Sequence, residues 1–375
     1  MNDNYILKVK NLTCVFKESD DKEFKAIDDF SFNFEKNKIH FIIGNSGSGK
    51  STLVSHFNGL IKSKKGTIEV GDFLISENKK KVKNTKKLRR IISMVFQFPE
   101  YQLFKSTIEK DISFGPETLG IPKIKSKEIN NENFKKTFFE KHLFDLCNFY
   151  NIRNNYDNFD ELISKENLKT KIKIYDKKDF GKIVFSKNNI KYKKKVEFNT
   201  VTPEDYAHEL SKKYLTKLGL DESYLEKSPF ELSGGQKRRV AIAGILAIEP
   251  EILIFDEPTA GLDPHGEQEM MNIILEAKNR GQTLIVITHT MDHVLEVGDN
   301  VIVMDKGKVA FSGSPYEVFT NKRLYEETKM EKPKIIDLID NLCKKDKRFV
   351  KLFEEKPRNV DELVKSIKKI FKDAK

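Results

Sequence analysis

The chain has 375 residues, of which 38% are hydrophobic, and carries a formal net charge of +11 at pH 7. This length allows one large or two modest cores, so a globular protein is the expected class. The longest apolar run, VAIAGILAI at 240–248, falls short of the about 20 residues that a membrane-spanning helix needs, which argues against a transmembrane segment.

The N-terminal region predicts two strands followed by a strand, loop and helix. The start, MNDNYILKVK, lacks the basic region, apolar run and cleavage site of a secretory signal, so we expect the protein to stay in the cytosol. The segments LKVKNLTCVF at 7–16 and FSFNF at 30–34 alternate apolar and polar residues, as half-buried antiparallel strands do. IHFII at 39–43 is typical of a buried strand, and a helical pattern follows it and stops at Asn58-Gly59.

The C-terminal half predicts further strands and helices. EILIFD at 251–256 and TLIVIT at 283–288 are apolar runs with a helix-like stretch between them, which favours a parallel sheet with crossover helices. VIVMDKGKVAFSG at 301–313 predicts a hairpin that turns at Lys306-Gly307. The Lys- and Glu-rich remainder predicts one or two amphipathic helices.

A glycine-rich loop joins the buried strand at 39–43 to its helix. GNSGSGKS at 44–51 matches G-x-x-x-x-G-K-[ST] in the strand-to-helix context that such a loop requires, so a chance Gly/Ser turn is the weaker interpretation. Its backbone N–H groups would surround phosphate oxygens, Lys50 would add a charge, and Ser51 would ligate Mg²⁺. The predicted ATP-binding residues of this loop are Gly44, Asn45, Ser46, Gly47, Ser48, Gly49, Lys50, Ser51 and Thr52.

A second glycine motif, LSGGQ at 232–236, precedes the helical pattern VAIAGILA. Ser233 suits the N-cap of that helix, and its hydroxyl would present an anion site together with the N–H groups of Gly234 and Gly235. A simple helix cap explains the serine but not the paired glycines. We therefore predict that the four residues from Ser233 to Gln236 contact nucleotide.

Two carboxylates end the strand-like segment ILIFDE at 252–257. A hydrolytic NTPase places a Mg²⁺ partner and then a water-orienting base at such a strand end, which assigns these roles to Asp256 and Glu257. Acidic pairs at strand ends are common. The position of this pair directly before PTAGLD and ahead of His289 favours the catalytic interpretation.

LSGGQ is the hallmark of the ATP-binding cassette (ABC) ATPases, and the chain resembles that family. The resemblance implies a Q-loop glutamine near metal and water at Gln97, a switch histidine at His289 that contacts the terminal phosphate, and an adenine-stacking aromatic at Phe16. A surface glutamine, a structural histidine and a core phenylalanine are the alternatives. The motif set occurs once, so the resemblance also implies a dimer, with ATP between the phosphate loop of one subunit and LSGGQ of the other.

Four stretches resemble the energy-coupling factor (ECF) transporter ATPases, nearest to the second of their two ATPase types: FQFPEYQLF, FGPETLG, SPFELSGGQKRRVAIAGILA and DEPTAGLDP. The resemblance covers residues 1–122 and 202–320. It implies a second related ATPase as heterodimer partner, a transmembrane coupling subunit and a membrane subunit that captures a vitamin or metal ion. The chain would then be an ATP-hydrolysing translocase subunit, peripheral on the cytoplasmic side of the cell membrane.

The resemblance implies an α/β P-loop NTPase of ABC ATPase type, with a mixed sheet, crossover helices and an antiparallel N-terminal region. We expect the ATPase domain to span 1–320, with its helical subdomain at about 98–230 and a C-terminal helical extension at 321–375.

A basic insert at about 123–201 departs from the family pattern. It holds 19 Lys and Arg against 11 Asp and Glu, a net charge of +8. Its segment 171–195 predicts either a small hairpin insert or a disordered excursion. Because added loop length costs little, we expect a solvated loop enlargement rather than a membrane-binding element.

A soluble ABC ATPase that acts on nucleic acid or ribosomes is the rival function, with the insert as its binding arm. ABC proteins that act on ribosomes usually carry two cassettes per chain, and this chain has one. The sequence therefore favours the transporter, with no nucleic acid partner expected.

Overall fold

The structure, a computed structural model, describes residues 4–17, 23–62, 65–76, 85–119, 169–174, 180–187, 190–197, 203–328 and 330–372. Most of the predicted insert, including 123–168, therefore lies outside the described residues. The chain divides into two compact units, one formed by Met1–Leu119 with Leu210–Lys375 and the other by Gly120–Glu209. The domain limits given above stay predictions.

The first unit begins with an antiparallel sheet in the order β2-β1-β4-β5. Its strands are β1 (Tyr5–Lys17), β2 (Glu23–Glu35), β4 (Lys65–Val70) and β5 (Phe73–Ser76). Along β1, the apolar residues Leu7, Val9 and Leu12 are buried, as the alternating sequence predicts. The antiparallel entry region is confirmed.

The second sheet of this unit has the order β13-β12-β3-β11-β10-β6. Its strands are β3 (Ile39–Ile43), β6 (Ile92–Val95), β10 (Ile252–Asp256), β11 (Thr283–Ile287), β12 (Asn300–Asp305) and β13 (Lys308–Gly313). All its pairs are parallel except the β12–β13 hairpin. The carboxyl ends of β3, β10 and β11 therefore meet at one edge, where α/β proteins place their ligands.

Helices connect these strands and extend the chain beyond them. They are α1 (Lys50–Phe57), α2 (Thr85–Ile91), α3 (Ile108–Leu119), α4 (Pro203–Lys217), α5 (Gly234–Leu246), α6 (Pro264–Asn279) and α7 (Met291–Val297), followed by α8 (Pro315–Phe319), α9 (Lys322–Thr328), α10 (Lys334–Lys345), α11 (Leu352–Glu355) and α12 (Val360–Lys372). No helix among the described residues is both long enough and apolar enough to span a bilayer.

The C-terminal remainder corrects one prediction. Five helices, α8 to α12, occupy the described residues there, so the prediction of one or two helices was wrong. Pro333 caps α10, and Pro357 follows Lys356, whose φ of 52° ends α11. A residue before proline is disfavoured in helical conformation, and these two prolines therefore break the amphipathic stretch into shorter helices.

One hydrophobic core joins the two sheets to α1. Phe30 and Phe34 of β2, Phe57 of α1, and Ile42 and Ile287 of the second sheet belong to it, each fully buried. Complete burial of such a side chain stabilises a fold by about 1.5–3 kcal/mol. This packing holds α1, and with it the glycine loop at 44–49, at the carboxyl edge of the parallel strands.

The second unit contains a three-stranded antiparallel sheet in the order β7-β8-β9. Its strands are β7 (Lys169–Ile174), β8 (Phe180–Lys187) and β9 (Ile190–Glu197). Of the two predictions for 171–195, the hairpin insert is therefore the one that these strands bear out.

Candidate active site

A cleft of about 670 Å³ opens at the carboxyl edge of β3, β10 and β11. Most of the residues predicted from the sequence line it, although their segments are far apart in the chain. They are Ser46, Gly47, Gly49, Lys50, Ser51, Thr52, Gln97, Asp256, Glu257 and His289. The parallel register of the sheet thus collects the glycine loop, the paired carboxylates, the glutamine and the histidine around one space.

The glycine loop has a conformation that other residues adopt only with strain. Gly44 has φ of 144° and Gly49 has φ of 99°. A Cβ atom on Gly44 would lie 2.1 Å from the Met304 carbonyl oxygen, and one on Gly49 would lie 2.2 Å from the Ala26 carbonyl oxygen. Both positions therefore need glycine for the backbone conformation and for close approach.

The Lys50 ammonium group is held inside this loop. Its Nζ donates hydrogen bonds to the carbonyl oxygens of Gly44 at 2.7 Å and Asn45 at 2.9 Å. Burial lowers the pKa of Lys50, while the charges of Glu257 and Asp256 raise it. A largely desolvated cation beside two carboxylates suits the binding of a phosphate with its metal ion.

Three residues of the loop are placed away from the cleft wall. Gly44 and Ser48 are buried, and Asn45 is exposed. The Asn45 side chain donates a hydrogen bond from Nδ2 to the carbonyl oxygen of Thr328 at 2.9 Å. The end of α9 therefore supports the outer side of the loop.

The side chains of Asp256 and Ser51 provide two neighbouring oxygen atoms that could ligate a metal ion. Ser51 Oγ donates to Asp256 Oδ1 at 3.2 Å, and the amide of Gln97 lines the same cleft. Burial raises the pKa of Asp256, and the hydrogen bond from Ser51 opposes this shift. A hydroxyl, a carboxylate and an amide oxygen are the hard ligands that Mg²⁺ prefers, so the residues fit the predicted metal.

Glu257 lies in a strained backbone position at the end of β10. Its φ is 51°, and its N–H donates to the Ile287 carbonyl oxygen at 3.0 Å. Burial first, and then the negative charge of Asp256, raise the pKa of Glu257 to about 7. A carboxylate with a pKa near neutral pH can accept a proton efficiently.

His289 lies beside Glu257. His289 Nε2 is 3.0 Å from Glu257 Oε1, and its side chain is 54% exposed. Burial and the charge of Lys50 lower the pKa of His289, which favours neutral imidazole at pH 7. A neutral imidazole can donate to the carboxylate or turn toward a phosphate oxygen.

The aromatic wall of the cleft differs from the predicted one. Phe24, which is 46% exposed, lines the cleft, whereas Phe16 is not among the lining residues. The two phenylalanines pair directly across β1 and β2. The register between these strands could have indicated Phe24, but bulges between Val9 and Val15 hide it from the sequence pattern. The role of Phe16 stays a prediction.

The LSGGQ segment begins α5 and is not part of this cleft. Ser233 Oγ accepts from the N–H of Gln236 at 3.3 Å, and Gln236 Oε1 accepts from the N–H of Ser233 at 3.0 Å, which completes a capping box. Ser233, Gly234 and Gly235 are exposed, and a Cβ on either glycine would meet nothing within 4 Å. The described part of the chain therefore keeps this helix start open to another molecule.

A residue that the sequence did not indicate links α5 to the loop after Glu257. Arg238 is only 6% exposed, and its guanidinium donates to the carbonyl oxygens of Ala260, at 3.1 Å, and of Pro258. Burial lowers the pKa of the same guanidinium, while the negative charge of Glu100, which is close to Gln97 in sequence, raises it. One buried cation thus connects the LSGGQ helix with the loop that follows the proposed base.

A phosphate loop between a parallel strand and a helix, two carboxylates at the carboxyl end of β10 and an exposed, capped LSGGQ helix define an ATPase of the ABC type. The ABC transporter family model matches residues 27–260. In solved structures, the chain is similar to cbiO1 from Clostridium perfringens, part of the ABC transporter complex cbiONQ, at 29% identity with a TM-score of 0.56 over 90% of this chain and 100% of that chain. A dimeric cassette in a post-hydrolysis state with ADP and phosphate shares the fold at 20% identity, with a TM-score of 0.54 over 82% of this chain and 98% of that one.

Curated relatives refine this class. The energy-coupling factor transporter ATP-binding protein EcfA2 of Mycoplasmoides gallisepticum is 45% identical over 374 residues, which cover 98% of this chain and 92% of the relative. Its counterpart in Mycoplasma pneumoniae is 44% identical over 367 residues, with 98% and 94% covered. The chain belongs to this family of ECF transporter ATP-binding proteins, and it is an ATPase. The predicted family, fold class and enzyme class are confirmed.

Proposed function

We propose that this chain is the ATPase subunit that powers uptake of a vitamin or another micronutrient through separate membrane subunits. The observation that carries the proposal is the division of the site within one chain. The cleft holds the phosphate loop, the carboxylates and His289, while Ser233 and Gly235 lie exposed at the start of α5, outside it. Each chain thus offers two half-sites, and closing them requires a second ATPase, which we infer to be a related subunit.

Within the cleft, the chain's own residues would each perform one task. The N–H groups of the loop at 46–51 and the Lys50 ammonium bind the ATP phosphates. Ser51, Gln97 and Asp256 hold Mg²⁺, which neutralises part of the phosphate charge when bound. Glu257 orients a water molecule and accepts its proton as the water attacks the terminal phosphate. The bond between that phosphate and the bridging oxygen breaks, and ADP is the leaving group. His289 turns from Glu257 and donates its one N–H to that phosphate.

Contact with the membrane subunits would use an apolar groove beside Gln97. A cavity of about 560 Å³ is lined by Leu103, Phe104, Phe114 and Ile245, among others. Tyr101, close in sequence to these residues, is 85% exposed, and Phe104 in the lining is 58% exposed. An exposed apolar patch of this kind marks a partner site. We infer that a helix of the transmembrane coupling subunit docks here and places the protein on the cytoplasmic face of the membrane.

The experiment is co-purification from detergent-solubilised membranes, with substrate uptake measured in parallel. The native chain should bring membrane proteins with it, whereas nucleic acid in their place would favour the rival function. Tyr101→Glu with Leu103→Glu should abolish uptake while ATP binding persists. Leu74→Glu, at an exposed apolar position on β5, is the control and should leave uptake unchanged. Normal uptake by the double variant would remove the docking groove from the proposal.

A further inference from the structure

The lysines of the sheet in the second unit are concentrated on one of its two faces. In an antiparallel pair, directly opposite residues share a face, and residues along a strand alternate between faces. The register of β7, β8 and β9 therefore assigns seven lysines to a single face. This lysine face consists of Lys169, Lys171, Lys173, Lys182, Lys191, Lys193 and Lys195, and it shares its register positions with Phe180, Val184, Ser186 and Glu197.

The opposite face has a different composition. It holds two lysines, Lys187 and Lys194, and its other positions are mostly apolar: Ile172, Ile174, Ile183, Phe185, Tyr192 and Val196, among others. A strand sequence that only had to be soluble would mix both signs of charge on its polar face. The segregation found here goes beyond what enlargement of a loop requires.

The register also makes the lysine face unfavourable on its own. Lys173 lies opposite Lys182, and Lys182 lies opposite Lys195, so one row across all three strands is entirely cationic. The Cβ atoms of directly opposite residues are about 5 Å apart in an antiparallel sheet, and like charges at directly opposite positions are destabilising. Glu197 is the one acidic residue among the eleven positions of this face. Such a local conflict is expected where a function needs it, and it is relieved by a surface of negative charge.

We propose that the lysine face binds the anionic phospholipid headgroups of the membrane in which the transporter works. Attraction to a charged bilayer depends on the number of nearby cations and needs no shaped pocket, which suits a sheet face with seven lysines in strands that contain no arginine. Nucleic acid binding would be favoured by arginine and by aromatic groups for stacking, and Phe180 is the one aromatic residue on this face. The choice of lipid over nucleic acid also rests on the transport function proposed above.

The test compares two double variants with the same change of charge in the same sheet. Lys173→Gln with Lys182→Gln removes two neighbours of the lysine face, and Lys187→Gln with Lys194→Gln removes the two lysines of the opposite face. Each full-length protein is sedimented with phosphatidylcholine vesicles with and without phosphatidylglycerol, at low and high salt. A lysine near an anionic membrane contributes about fivefold to binding, so the first variant should bind roughly 25-fold more weakly. The second should bind like the native protein.

Several results would overturn the proposal. Equal loss in both double variants would mean that net charge alone drives binding, and native binding that ignores phosphatidylglycerol or salt would remove the electrostatic basis. Lysine-face variants that lose affinity for an RNA oligonucleotide while vesicle binding stays native would assign the face to nucleic acid. Far-UV circular dichroism checks folding, and Lys171→Gln with Lys193→Gln replaces the first variant if that one fails to fold. ATP hydrolysis by the same proteins should be unchanged, which separates this test from that of the transport function.

Discussion

Glu257→Gln should remove catalysis and at the same time stabilise the protein without nucleotide. The pKa of Glu257 is about 7 in the folded chain, against an ordinary value of 4.5. Above pH 7 the native protein therefore keeps a carboxylate charged at a cost of about 3.5 kcal/mol, because a pKa difference of about 2.5 corresponds to about 1.4 kcal/mol for each pH unit. Glutamine carries no charge to desolvate. Glu257→Gln should therefore recover a large part of this cost, which would appear as a higher free energy of unfolding.

The sign of the pH dependence follows from the raised pKa. As the pH rises from about 4.5 to 7, the unfolded chain loses the Glu257 proton before the folded chain does, so the native protein loses stability over this interval. Glu257→Gln has no proton to lose at this position, so its stability should not fall in this way over the interval. Urea unfolding should therefore show nearly equal stability of the two proteins at pH 4.5 and a gain of about 2–3 kcal/mol for the variant at pH 8.

Turnover should change in the opposite direction. Loss of a general base typically lowers the rate by about 10² to 10⁴-fold, while equilibrium ATP binding should persist because Lys50 and the phosphate loop are intact. Phosphate release from the assembled complex measures the first quantity, and nucleotide titration measures the second. Native turnover should itself rise with pH through about 7, as Glu257 becomes ionised.

A control removes the same charge from the residue that precedes β10, whereas Glu257 follows it. Glu251, exposed at the opposite end of β10, can be replaced by glutamine with an identical change of net charge. Glu251→Gln changes an exposed side chain and should leave turnover unchanged. Near-normal turnover of Glu257→Gln, or a stability gain that is the same at pH 4.5 and pH 8, would refute the assignment of Glu257 as a buried base.

Three further variants test the rest of the site. Gly235→Asp puts a carboxylate where the phosphates of the ATP held by the partner subunit would bind. Hydrolysis by the assembled complex should therefore fail, while the isolated chain should bind ATP normally. Reduced ATP binding by the isolated chain would contradict the divided site. Arg238→Lys keeps the charge but loses the forked guanidinium that contacts the carbonyl oxygens of Pro258 and Ala260. Because a hydrogen bond from a charged group contributes about 1.5–3 kcal/mol, kcat should fall about tenfold while ATP affinity stays unchanged. Phe24→Ala should weaken ATP binding by about tenfold or more, because stacking of a base on an aromatic ring contributes about 1–3 kcal/mol. Phe16→Ala should weaken ATP binding less. A larger effect of Phe16→Ala would restore Phe16 as the adenine contact.

The amino-acid sequence alone determined the features that depend on neighbours in the chain. The apolar runs at 39–43, 252–256 and 283–287 are buried strands of the second sheet, as predicted. The S-x-x-Q spacing of Ser233 and Gln236 is sufficient to indicate the capping box, because the two side chains meet within one helical turn. Lys306-Gly307 turns the hairpin because both residues adopt positive φ.

Tertiary structure alone decided the features that depend on segments far apart in the chain. The nearly neutral pKa of Glu257 arises from burial and from Asp256, Phe24 reaches the cleft through the bulged register of β1 and β2, and Arg238 contacts a loop 20 residues away. The separation of Ser233 from the phosphate loop likewise follows from the placement of α5 outside the cleft. Local periodicity records which face of an element is buried, but distances between elements are set by sheet order and core packing.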